Sequence, residues 1–148
     1  MGAFFETLPP SLVDWLLAQR VLWIASAPLS GDGYVNVSPK GITDKGGPFF
    51  GVIRDPPKQG GGGDDEKEVI RKFWYLDLTG SGIETTSHLH EPGNGRITVL
   101  FNAFDGPPRI VRIYGKGTWG WCILHDFNIS ESFWRFGGWC RVMVTVML

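Results

Sequence analysis

Three short stretches of this chain place polar side chains together in ways that suit anion binding. The first, Asn36-Val37-Ser38-Pro39-Lys40-Gly41, gathers an amide, a hydroxyl and an ammonium at a strand end. Proline restricts the backbone between Ser38 and Lys40, so those two side chains keep a defined relation. A charge-assisted hydrogen bond from the lysine would be roughly twice as strong as a neutral one. The same residues also read as a plain strand end carrying a solvated lysine. The second stretch, DLTGSGIETTSHL from Asp77 to Leu89, sets Thr79, Gly80, Ser81 and Gly82 directly before a helix. Backbone amides and the positive helix end there favour a phosphate. Ser81 and Glu84 also have capping-box spacing, in which the two side chains satisfy the first helical amides themselves, and a Glu84 folded back would repel an anion. In the third, Arg109 to Lys116, strand alternation puts Ile110, Arg112 and Tyr114 on one face. Arg112 either reaches a ligand or stands solvated on an exposed sheet face.

Other residues offer less. His88 and His90 are two apart on an expected helix and point different ways, which argues against a shared metal. The glycine run at 60–63 lacks the lysine and hydroxyl of a P-loop and is followed by Asp64 and Asp65. No Ser, Cys or His stands in a nucleophile motif, and no residue is an evident acid or base, so the catalytic residues are unassigned.

These stretches need elements to hold them. Pro9 and Pro10 open an amphipathic helix with Leu12, Val13, Trp15, Leu16 and Leu17, running to about Arg20. VLWIASAPL, the turn residues Ser30 to Gly33, and the alternating YVNVS predict a β-hairpin. A strand over 48–53 precedes residues 54–69, whose prolines, glycines and acidic cluster predict a flexible insertion. Order resumes with FWYLDL at 73–78 and a short helix from Ile83 to about Leu89. RITVLFNAF (96–104) and RIVRIYGKG (109–117) flank Asp105-Gly106-Pro107-Pro108 and predict two antiparallel strands. CRVMVTVML predicts a closing strand after the irregular, tryptophan-rich residues 119–140. Many strands and few helices favour a β-barrel over alternating βαβ units.

The 148 residues suit a single domain over 1–148, since a chain of this size buries roughly two thirds of its surface in one core. A net charge of −1 supplies no basic field for nucleic acid. No apolar run is long enough to span a membrane as a helix. The N-terminus lacks a basic segment followed by a long apolar one, so a cytoplasmic location is expected. Cys122 and Cys140 read as reduced thiols, and no metal is expected.

Taken in order, VNVSPKG, FWYLDLTGSGIETTSHL, NGRITVLFNAF and PPRIVRIYGKG resemble the pyridoxamine 5′-phosphate oxidase-like family of FMN-binding split barrels. The resemblance runs from the N-terminal helix through Thr118, interrupted by 54–69. It implies a mainly β fold, a split barrel with short helices, and FMN as cofactor between the subunits of a homodimer. Trp119, Trp121, Phe133, Trp134 and Trp139, more aromatic surface than a small core readily buries, also favour a homodimer. The resemblance implies cofactor contacts from Asn36, Val37, Ser38 and Lys40, and from Thr79, Ser81, Gly82, Glu84 and Thr85, with Arg112 a further candidate. Lys40, the one cation in the first two groups, is expected to hold the phosphate. The function implied is an FMN-dependent oxidoreductase with an unspecified small-molecule substrate. The alternatives are a non-catalytic flavin- or ligand-binding barrel, or a truncated variant with an impaired cofactor site. The chain departs from true pyridoxamine phosphate oxidases at Gly82 and Glu84, where they carry basic residues. It also departs from them in 119–140, and it ends where they continue.

Overall fold

A computed structural model describes residues 3–41, 49–55, 69–78, 83–121 and 139–146. Helix α1 spans Pro10–Leu17, with Pro9 at the N-cap and Pro10 in the first turn, where a missing N–H costs nothing. It stops short of Arg20 because the chain tightens there: the Gln19 side-chain amide donates to the Trp15 carbonyl at 2.8 Å, and the Gln19 backbone N–H donates to Leu16. Its buried Val13 and Leu16 join the core, and the Leu8 N–H before it donates to the Ile70 carbonyl.

Among the described residues seven strands form one antiparallel sheet. They are β1 (Val21–Ser26), β2 (Asn36–Gly41), β3 (Phe50–Asp55), β4 (Val69–Leu78), β5 (Arg96–Asn102), β6 (Ile110–Trp121) and β7 (Trp139–Val146), in the spatial order β2-β1-β5-β6-β7-β4-β3. The second helix, α2 (Glu84–His90), packs against β1, β5 and β6. The fold is therefore mainly β, with two short helices among the described residues.

Among the described residues the sheet is rolled and forms no closed barrel, with β2 and β3 as its two edges. Two contacts show the roll. Phe101 of β5 meets Phe50 of the far edge strand β3 at 5.6 Å between ring centroids, and Phe73 of β4 completes the cluster at 5.9 and 5.8 Å from them. Lys40 of β2, the first strand in the order, bonds Asp77 of β4, the sixth. The edge position of β2 suits Pro39, which has no N–H to give a further ladder.

Inside the roll lie alternate residues of β1, β4, β5 and β6: Leu22 and Ile24 of β1, Ile97, Val99 and Phe101 of β5, Ile113 of β6, and Phe73 and Tyr75 of β4. Gly117 faces the same way. A Cβ there would stand 2.9 Å from a Leu89 methyl, so the glycine lets α2 lie close on β6.

Several element ends differ from the sequence expectation. The hairpin strand begins at Asn36 and not at Tyr34, which is 92% exposed. Arg54 and Asp55 belong to β3 and Val69 to β4, paired through Asp55↔Val69 after a bulge, so both ends of the expected insertion are strand. Likewise β6 continues through Trp121, and Trp139 and Cys140 open β7, which pairs with β6 on one side and β4 on the other. Main-chain pairing recruits these residues although their side chains lack a strand pattern. Residues 56–68 and 122–138 of those two segments lie outside the described residues. Trp119 turns inward, half-buried, with its ring 4.1 Å from that of His90. No helix among the described residues is long and apolar enough to cross a membrane.

Candidate functional site

Strand alternation places Asn36, Ser38 and Lys40 on one face of β2. Their Cα partners across the ladder are Ser26, Ile24 and Leu22, all buried, so the three polar side chains face the interior of the roll. Val37, between them, faces out and is 60% exposed.

Each inward residue meets a different neighbour. The Asn36 amide donates to the Thr85 hydroxyl at 2.9 Å, and Thr85, in the first turn of α2, is almost fully buried. The Lys40 ammonium donates to the Asp77 carboxylate at 2.6 Å, with side-chain exposures of 18% and 10%. Between these two contacts the Ser38 hydroxyl oxygen is buried and has no hydrogen-bond partner among the described residues. A buried hydroxyl in that state costs stability of about 1–3 kcal/mol unless a ligand or water completes it.

The remaining expected contacts fall elsewhere. Glu84 is exposed at the first position of α2, whose N-cap is Ile83. It therefore occupies the first helical position and not the third that a capping box requires. Thr79, Ser81 and Gly82 lie outside the described residues. Arg112 is exposed on the outer face of β6, opposite Leu100, with Ile110 and Tyr114 on the same side. It does not meet the inward row of its own chain.

Three residues enter that the motifs did not single out for this site. Asp77 shares a face of β4 with the fully buried Phe73 and Tyr75, and a carboxylate in that position demands a cation. That signal was present in FWYLDL, but the partner, 37 positions earlier, is legible only in three dimensions. The Ser26 hydroxyl and His88 Nδ1 share a hydrogen bond of 2.9 Å that pins α2 to β1, beside the Asn36–Thr85 contact. Ser26 is buried, so the pair has the geometry of a structural clasp rather than of an accessible nucleophile and base.

Below α2 a polar knot holds the chain around the site. The Glu91 carboxylate accepts from the Leu29 N–H and from the Asn94 amide, both at 2.8 Å, and Asn94 also donates to the Ala27 carbonyl. The Leu29 and Asn94 hydrogen bonds, helped by His88 and Arg96 charges, hold the Glu91 carboxyl below its ordinary value.

The arrangement offers an amide, two hydroxyls and an ammonium within a largely buried seam. Lys40 and Asp77 together carry no net charge.

No protein-family model and no solved structure matches the chain. The chain is similar to the pyridoxamine 5′-phosphate oxidase family protein ustO of Aspergillus flavus, at 41% identity over 118 residues. That alignment covers 80% of this chain and 39% of the relative, so the chain spans well under half of the relative's length.

Proposed function

We propose that this chain is an FMN-binding member of the pyridoxamine 5′-phosphate oxidase family and that the protein works as a flavin-dependent oxidoreductase. The observation that carries the reading is the inward row of β2: Asn36 and Lys40 engaged by α2 and β4, with a buried Ser38 hydroxyl between them that has no partner among the described residues. The similarity to a protein named for that family and the order of the four motifs support it.

The residues fit the cofactor in kind. Asn36, Ser38 and Thr85 suit ribityl hydroxyls and phosphate oxygens as neutral hydrogen-bonding groups, and Lys40 supplies a cation. Val37, Thr79, Ser81, Gly82 and Glu84 are assigned to the same ligand on the resemblance. When bound, the flavin supplies hydride-accepting chemistry, and the protein's part is to bind it, orient it and exclude water. Arg112, on the outer sheet face, joins such a site only by serving that of a second copy, which accords with a homodimer. A small-molecule substrate would be taken against the open flavin face.

The test is direct. Purified protein soaked with FMN and passed through a desalting column should retain the yellow absorption of oxidised flavin and sediment as a dimer. A colourless protein removes the flavin reading, and a flavin-loaded monomer removes the dimer.

A further inference from the structure

The Lys40–Asp77 pair changes what the site can prefer. Lys40 is the cation on which a phosphate would depend, yet its ammonium already stands 2.6 Å from a carboxylate, in a seam where both side chains are mostly shielded from water. Opposite charges so placed cancel, and the inward neighbours Asn36, Ser38 and Thr85 are neutral. An anion arriving at Lys40 meets a neutral pair, and the carboxylate repels it. It must share the ammonium with Asp77 or take it away. The pair also bridges the first and sixth strands of the sheet, so taking Lys40 away weakens the seam as well.

We propose that Asp77 is the specificity-determining residue of this site, a built-in anion that competes with the ligand's phosphate for Lys40 and lowers the preference for a phosphorylated over an unphosphorylated ligand. This rests on the reading that a flavin occupies the inward row of β2. An opposing unit charge a few ångströms from a phosphate, in partly buried surroundings, changes affinity by about 10- to 100-fold. Riboflavin shares the ring and ribityl chain of FMN but lacks the phosphate, so the ratio of the two affinities isolates the effect.

The experiment measures FMN and riboflavin dissociation constants for the wild type, Asp77→Asn and Asp77→Asn combined with Lys40→Met. Asparagine keeps an acceptor for Lys40 and removes the charge; should it fail to fold, as judged by its thermal transition, Asp77→Ser takes its place. The expected result is a preference for FMN over riboflavin that rises about 10-fold or more in Asp77→Asn and disappears in the double variant. A preference that stays level or falls in Asp77→Asn overturns the proposal while leaving the flavin reading intact. If no form binds either flavin, the flavin reading fails, and inorganic pyrophosphate decides the proposal by calorimetry. Tighter pyrophosphate binding by Asp77→Asn than by the wild type upholds the competition with Lys40, and equal or weaker binding overturns it.

Discussion

Two regions lie on the inner face of the same rolled sheet and are built on opposite terms. Around Phe50, Phe73 and Phe101 the strands supply mainly aromatic and aliphatic groups, and three rings in tilted and edge-on contact pack between β3, β4 and β5. Along β2 every inward side chain is polar: Asn36 is completed by α2 and Lys40 by β4, while Ser38 has no partner among the described residues. Strand β4 belongs to both regions, passing from Phe73 and Tyr75 to Asp77 along one face. The aromatic region gains stability from contacts it already has. The polar row keeps a buried hydroxyl with no partner among the described residues, which the proposed ligand would complete.

The sharpest way to test this division is to damage the apolar side. Phe101 is fully buried against two other rings, so Phe101→Ala should lower unfolding free energy in urea by about 3–5 kcal/mol. A loss under about 1 kcal/mol would mean that the rings do not form a packed interior.

On the polar side the signs should separate. Ser38→Ala removes a buried hydroxyl that has no partner among the described residues, so the flavin-free protein should keep its stability or gain about 1 kcal/mol. The same change should weaken FMN by about 2- to 12-fold, the equivalent of one neutral hydrogen bond. Equilibrium unfolding and flavin titration together check the pair of effects. A clear loss of stability with unchanged FMN affinity would place Ser38 in the packing and not in the site.

The smallest effect belongs to the knot below α2, which holds the loop before β2 without belonging to either region. Glu91 has its carboxyl held below the ordinary value of 4.5, first by the Leu29 N–H and then by the Asn94 amide. A depressed carboxylate contributes stability that is present above its unfolded value and lost as the pH falls through its folded one. Acidification below about 4.5 should therefore lower the melting temperature of the wild type more than that of Glu91→Gln, which keeps an acceptor but does not titrate. Parallel acid profiles would show that the knot contributes no pH dependence.

Much of the local structure was legible. Prolines at 9 and 10 did start a helix, the two β-branched stretches around Asp105 to Pro108 did pair antiparallel, and α2 lies within one residue of its expected span at either end. These features follow from turn chemistry and short-range periodicity. The extra lengths of β3, β4 and β6 were not legible, because long-range pairing and not side-chain pattern carries Arg54, Asp55, Val69 and Trp119 into strands.

The same divide runs through the candidate site. Period-two alternation alone determined that Asn36, Ser38 and Lys40 share one face, with Val37 on the other. Tertiary structure decided that this face turns inward, because β1 must bury Leu22 and Ile24 and β2 is paired in register beside it. It also decided that Lys40 is already answered by Asp77. A sequence shows a lysine and an aspartate as separate charges, whereas a sheet rolled until its first and sixth strands meet makes them one neutral pair.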